Sequence, residues 1–460
     1  MRKNEKQCSL TQGGVARAML LFALPIFCSN LFQQLYNAVD SLIVGNFLGG
    51  EALAAVGSSG SLIMLLVGFV NGMSLGAGVL VARFFGAGDR ENLERAVHTT
   101  VALGLAAGLV LTVAGVLFTP QLLRWMGTPE DVIGSSVAYF RVYFLGSSAV
   151  VLYNVGAGIL QSVGDSRSPM VYLLVSSAAN VALDLLFVAV LRWGVASAAL
   201  ATVISQALSA VLSFRKLAGP GTAYRVRWRR VRFDPGTLRQ VLGLGLPSGV
   251  QNSVISLANV IVQANINAFG SAAMAGCGAY SKVEGFAFLP ITCFALALST
   301  FVSQNVGAGR YDRVKQGMRF GLLCSPLLAE GVGLGMYLLA PRLIAAFNGE
   351  AQVVAYGVNY ARTVALFYCL LAFSHCCAGL LRGLGRPVIP MGIMLAVWCV
   401  LRITYITLTV RVLPTIRVVY WAYPLTWGIS SVLFALCLAR LRFPPMPGPA
   451  AAPADEDNKA

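Results

Sequence analysis

Residues 158–170 read GILQSVGDSRSPM, and residues 379–391 read GLLRGLGRPVIPM. Aligned at a spacing of 221 residues, Gly158, Leu160, Gly164, Pro169 and Met170 meet Gly379, Leu381, Gly385, Pro390 and Met391. The same spacing carries Gly86-Ala87-Gly88 onto Gly307-Ala308-Gly309, and Arg141 onto Arg362. One residue more carries Leu24-Pro25 onto Leu246-Pro247. A single-residue indel explains the whole series, so the chain reads as a tandem duplication.

Charged residues make up 11% of the 460-residue chain and hydrophobic ones 57%. That is too little charge to cover a soluble surface. About twelve apolar runs recur, each near the roughly 20 residues that a bilayer span needs; in chain order they include helix 1 at 17–43, helix 5 at 169–190, helix 6 at 195–214, helix 7 at 240–266 and helix 8 at 272–301. Six runs separate equivalent points of the repeat. An even number brings both halves into the membrane from the same side, as parallel rather than inverted repeats. The expected fold is an all-α polytopic membrane protein with twelve transmembrane helices in two parallel six-helix bundles. The expected divisions are an N-terminal tail at 1–16, a first lobe at 17–217, a linker at 218–236, a second lobe at 237–441 and a disordered tail at 442–460.

The net charge of +16 does not mark a nucleic-acid binder, because of where it lies. Lys and Arg concentrate in the N-terminal tail and in alternate loops, whereas the other set of loops holds only Arg124, Arg192, Arg342, Arg411 and Arg417. This positive-inside bias places both termini in the cytoplasm. The first apolar run is too long for a cleavable signal peptide and follows Arg2, Lys3 and Lys6. Arg225, Arg227, Arg229, Arg230 and Arg232 alternate with other residues in the linker. They read first as a topology signal and secondly as a contact to anionic lipid headgroups. The ten cysteines show no ligand spacing and read as small buried hydrophobes. His375-Cys376-Cys377 is a weak soft-metal pattern. No cofactor is expected. Gly72-x-x-x-Gly76 and Gly104-x-x-x-Gly108 read as faces for close helix packing.

Ionisable groups inside a membrane are costly and call for a partner, water or a function. Asp40 falls late in helix 1 and Asp184 late in helix 5, so both belong to the outer half of the bilayer. Asn37 shares a face with Asp40, and Asn180 shares one with Asp184. Thr202 enters helix 6 at a similar depth. Two carboxylates, two amides and a hydroxyl at one level suit a small hard cation or a shared proton. The repeat places Val262, Leu401 and Tyr405 where the first half has Asp40, Asn180 and Asp184, so the second half lacks the cluster. That asymmetry points to function. Lys282 and Glu284 sit mid-membrane in helix 8, two residues apart, and so face different partners. Pro25 removes a hydrogen bond from helix 1 and marks a hinge in the helix that carries Asp40.

With Leu24-Pro25 opening helix 1, Asp40 followed by Ile43-Val44-Gly45 and Gly49, the two Gly-Ala-Gly loops and Gln161–Pro169, the sequence resembles the MATE family, the multidrug and toxic compound extrusion transporters. The resemblance covers roughly residues 15–440. It implies two six-helix lobes in a V, alternating access, and export driven by a Na+ or H+ gradient. It also implies a cation site at Asp40, Asn180, Asp184 and Thr202, with Tyr139 and Asn154 lining the same cavity. It further implies a Pro25 bend that changes with cation binding, and a basic residue in helix 8 at Lys282. The chain departs from the branch that carries an acidic residue in helix 7, since Gln251–Asn259 contains neither Asp nor Glu. The expected function is secondary antiport of amphipathic, often cationic small molecules by a monomer in the bacterial plasma membrane. A lipid-linked sugar flippase would favour a cationic cavity, whereas the first-half cluster is acidic. An intramembrane aspartyl protease would carry a GxGD motif, and Asp184 sits in VALD. A channel would build its filter from symmetric rings.

Overall fold

The computed structural model describes residues 10–125, 128 and 130–441, with the side chains at 50–51, 53–67 and 131 excepted. The tail at 442–460 and the basic residues Arg2, Lys3 and Lys6 lie outside the described residues.

Among those residues the chain is helical throughout, without a strand. The first half comprises α1 (Val15–Leu48), α2 (Gly50–Ala87), α3 (Arg90–Trp125), α4 (Glu130–Leu145), α5 (Ser147–Ser162), α6 (Arg167–Asp184) and α7 (Val195–Leu217). The second comprises α8 (Pro235–Asn267), α9 (Ser271–Gly307), α10 (Tyr311–Ala345), α11 (Ala351–Val364), α12 (Tyr368–Gly383), α13 (Val388–Met394), α14 (Arg402–Val412) and α15 (Arg417–Ala439). Eleven helical stretches are long and apolar enough to cross a membrane, and the pair α4–α5, bent by 46°, supplies a twelfth span. Helices are the form such runs must take, because hydrocarbon offers no partner for an open backbone group. The spans form two parallel six-helix bundles.

The duplication is visible in the backbone. Gly49 and Gly270 have φ of 86° and 97°, Gly88 and Gly309 have 71° and 68°, and Gly164 and Gly385 have 91° and 81°. Each pair is 221 residues apart, and each closes a helix or turns the chain into the next one. A side chain would strain all six positions. Capping is more local. Asn92 donates its backbone N–H to Asp89 at 3.1 Å ahead of α3, and Thr237 donates to Asp234 at 2.9 Å ahead of α8. Hydrogen bonds from Asn92 and Thr237 hold the two carboxyls below their ordinary value of 3.8. Both caps therefore contribute stability above that value and lose it as pH falls through the depressed one.

Small residues bring helices close, as their spacing implies. A β-carbon on Gly104 would meet Val155 Cγ2 at 2.8 Å, and one on Gly108 would meet Ser148 Cα at 2.9 Å. Gly72 and Gly76 instead join the two bundles: a β-carbon on either would overlap the backbone of Gly249 or Gly245 of α8. Near the end of the molecule where the linker lies, Gly86 packs against the carbonyl of Gln304, and Gly307 packs against that of Arg83. Residues 83 and 304, like 86 and 307, are 221 apart, so this contact obeys the pseudo-twofold of the repeat. Gln304 also donates to the Ser162 carbonyl at 2.7 Å, joining α9 to the end of α5.

Helix α1 belongs to both bundles. Met19, Phe22, Ala23 and Ile26 pack with Phe294, Ala297, Leu298, Phe301 and Val302 of α9. Beyond Pro25, which is buried within the helix, Val39, Ile43 and Val44 return to the first bundle beside Tyr139, Val181 and Val188. The proline thus falls in the stretch where α1 changes partners. Ahead of α1, residues 10–13 strap onto the second bundle. Leu10 donates to Gln304 Oε1 at 2.9 Å. Arg313 donates to the carbonyls of Gly13, Leu10 and Gln12 at 2.7, 3.1 and 3.3 Å. Each such bond contributes about 1 kcal/mol net, or about fivefold in an opening equilibrium. Limited proteolysis of an Arg313→Ala variant is therefore expected to cut within residues 10–14 at least about fivefold faster than wild type. Unchanged cleavage would show that the arginine does not hold the strap.

Candidate cation and substrate site

The site lies where α1, α6 and α7 meet in the half of the first bundle away from the linker. Asp40 and Asp184 face each other within hydrogen-bonding range. Asp184 is fully buried, and Asn180, one turn earlier on α6, is 1% exposed. With its amide oriented to satisfy its neighbours, Asn180 donates to Asp184 Oδ2 at 3.2 Å and accepts from the Thr202 backbone N–H at 3.3 Å. The Thr202 hydroxyl donates to the Ala198 carbonyl at 3.1 Å, which leaves its lone pairs free. One oxygen on each carboxyl, Oδ1 of Asp40 and of Asp184, is buried without a hydrogen-bond partner.

The helices explain how these groups converge. Asn180 and Asp184 are four apart and stack on one face of α6. The chain then widens into a π-helical turn, Leu185–Val190, directly after Asp184. Such turns are frequent at functional sites because they re-aim side chains within a helix. Thr202 is held on α7 against the face that carries Asn180.

A small polar pocket opens beside the pair, lined by Tyr36, Ser176, Ser177, Asn180, Thr202 and Gln206 among others. Most of these residues escaped the sequence reading. Tyr36 precedes Asp40 by one turn, Ser176 precedes Asn180 by one turn, and Gln206 follows Thr202 by one turn. Spacing of four from the recognised residues was the signal that could have found them. Ser209 donates to Ser176 at 2.5 Å and fixes one wall, while Gln206 Oε1 is buried and unpaired.

The other expected residues divide. Tyr139 is buried in the cluster that holds Val39, Ile43, Val44 and Val181, immediately around the carboxyl pair. Asn154 turns to its own helix and donates to the Val150 carbonyl at 2.9 Å. Asn37 is exposed, whereas Asp40 is half-buried.

In the second bundle the equivalent space is filled with apolar groups. Val262 is buried at its centre, with Leu401 and Tyr405 packed alongside. Lys282 is exposed and Glu284 half-buried, so the two side chains do face different surroundings. Glu284 accepts from Tyr280 at 3.0 Å, and Tyr280 pairs with Tyr368 at 2.9 Å. Arg402 reaches Thr426 at 3.0 Å and lies over the Tyr423 ring at 4.4 Å. Glu330, also within a span, accepts from the Cys369 backbone N–H at 3.1 Å, where a 3-10 turn breaks the helix. Among the described residues no three His, Cys, Asp or Glu side chains gather as a metal cluster. Cys376 and Cys377 are fully buried.

Comparison with known proteins agrees with this architecture. The family model MatE matches twice, at residues 25–186 and 247–408. Probable multidrug resistance protein YoeA of Bacillus subtilis is 30% identical over 91% of this chain and 92% of its own length. A FAD transporter of Shewanella oneidensis is 23% identical over 82% and 84%. The structure of a MOP superfamily transporter from Pyrococcus furiosus superposes with a TM-score of 0.88 over 95% of this chain and 97% of that one, at 23% identity. With the duplicated model matching each half, the chain belongs to the MatE family of multidrug efflux transporters, membrane carriers of small molecules and not enzymes.

Proposed function

We propose that the protein is a secondary active antiporter that exports amphipathic, often cationic small molecules in exchange for H+ or Na+. It works as a monomer in a bacterial plasma membrane, with the linker end and both termini cytoplasmic. The observation that carries the reading is the Asp40–Asp184 pair, with Asn180 and Thr202 at the same level and no counterpart in the second bundle.

Two carboxyl groups in contact cannot both stay ionised in a low dielectric unless a proton or cation lies between them. Each has a buried oxygen that no protein group satisfies. Asp40, Asp184, the Asn180 amide oxygen and the Thr202 hydroxyl are all hard oxygen donors of the kind that hold Na+. Protonation of one carboxyl would satisfy the same oxygens, so both ions fit the chemistry. Exchange follows when ion binding and substrate binding compete for one cavity that opens to one side at a time. The contacts between the bundles from Gly86 and Gly307 up to Gly72 and Gly249 close the linker end, which corresponds to an outward-facing state in this orientation. Pro25 lies in the stretch where α1 leaves the second bundle for the first, and is the hinge through which Asp40 senses that closure.

The names of the relatives support drug-like substrates, and the FAD transporter adds a large anionic one to the panel worth testing. In proteoliposomes, an imposed Na+ gradient or an imposed pH gradient is expected to drive concentrative movement of ethidium. The absence of a gradient should give only equilibration. Equal uptake under all conditions would sink the antiport reading, and FAD transport in place of ethidium would reassign the substrate.

A further inference from the structure

The linker between α7 and α8 has two faces of different chemistry. Tyr224 and Val226 turn inward and join the core of the first bundle, with Tyr224 edge-on to Phe85 at 6.4 Å. Backbone bonds pin the same stretch. Val226 donates to the carbonyl of Leu217, the last residue of α7, at 2.9 Å. Arg227 donates its N–H to His98 at 2.9 Å, and Asp234 donates its N–H to Thr99 at 3.3 Å. The segment is therefore not a free tether. It lies folded back at the level where membrane-spanning helices end.

The outward face is basic and aromatic. Arg225, Arg227, Arg229, Arg230 and Arg232 are all exposed, and between them Trp228 and Phe233 are 53% and 47% exposed. Arg230 is engaged with Glu94 at 2.8 Å, and Arg225 donates to the Ala218 carbonyl at 3.0 Å. Among the described residues no ion pair neutralises Arg227, Arg229 or Arg232. Their guanidinium groups are planar forks suited to phosphate oxygens. Trp and Phe beside them suit the boundary between headgroups and acyl chains.

We propose that this face is a docking surface for the phosphodiester headgroups of anionic phospholipid, read by Arg227, Arg229 and Arg232 with Trp228 and Phe233 in the acyl boundary. Because backbone bonds fasten the linker to α3 and to the end of α7, the bound lipid moves with the first bundle.

The test uses the full chain in nanodiscs of phosphatidylcholine, with or without phosphatidylglycerol, and native mass spectrometry to count the lipids retained. Wild type should keep phosphatidylglycerol over phosphatidylcholine by at least about fivefold, the worth of one juxtamembrane arginine near an anionic surface. A variant combining R227Q, R229Q and R232Q should lose that preference. Single Arg229→Gln, at an exposed and unpaired position, serves if the triple variant does not fold, and should lower the preference measurably. Equal retention by wild type and variants would overturn the proposal. So would displacement of the lipid by glycerol phosphate at matched concentration, since the site would then take a free phosphate ester.

Discussion

Asp40→Asn and Asp184→Asn are each expected to abolish gradient-driven efflux, lowering the rate at least about tenfold, a change of roughly 1.4 kcal/mol or more in coupling. The amide keeps the shape and much of the hydrogen bonding but can neither release a proton nor neutralise a cation. Under the proposed antiport the two positions should behave alike, because two facing carboxyls would share one ion. Fluorimetry of ethidium efflux from preloaded cells or proteoliposomes reads the effect, with protein abundance measured in parallel. Either variant retaining wild-type transport under a gradient would remove the pair from the coupling mechanism. Val262 offers the control: conversion to Asp in the second bundle buries a carboxyl without partners and should destabilise the protein without adding a coupled ion.

Gly86→Val and Gly307→Val should each open the linker end. A β-carbon at either position overlaps a backbone carbonyl of the opposite bundle, of Gln304 or of Arg83. No side-chain rotation relieves an overlap with backbone. Overpacking of this kind costs about 1–3 kcal/mol, and here the cost falls only on the state in which the bundles touch. The balance should therefore shift toward separation at that end by roughly 5- to 150-fold. Transport should fall because the closed state is rarely reached. Cys introduced at Ser162, which is 3% exposed and whose carbonyl accepts from Gln304, should become alkylated about tenfold faster. The pseudo-twofold adds a stricter condition, since the two substitutions are symmetry-related and should act alike. Normal transport with an unreactive Ser162→Cys would show that the seam is softer than the geometry implies.

Much of the site was legible because helical spacing is a local rule. Asn180 and Asp184 share a face by being four apart, and Asp40 stood out as a carboxylate in an apolar run. Tyr36, Ser176 and Gln206 obey the same spacing but were overlooked, because Tyr, Ser and Gln are unremarkable inside a membrane helix. Asn37, one turn before Asp40, is exposed while Asp40 is half-buried, a difference in depth that helical spacing does not carry. Lys282 and Glu284 divide as expected, since residues two apart on a helix diverge. The tyrosine chain that receives Glu284 needed residues from α9 and α12 and had no signature in either alone.

The spans, the duplication and the asymmetry between the halves are all legible in the order of residues. Each rests on local chemistry: twenty apolar residues must satisfy their backbone as helix, and a copied segment repeats its glycines and prolines. Which groups meet is a property of the packed fold. It brought Asp40 of α1 against Asp184 of α6, set Gly72 and Gly76 against Gly249 and Gly245, and fastened the linker to the first bundle. It also placed Pro25 in the stretch where α1 passes from one bundle to the other. These contacts join residues far apart in the chain, and side-chain shape and packing select them. A hydropathy pattern, which says only that a helix is apolar, does not distinguish one apolar neighbour from another.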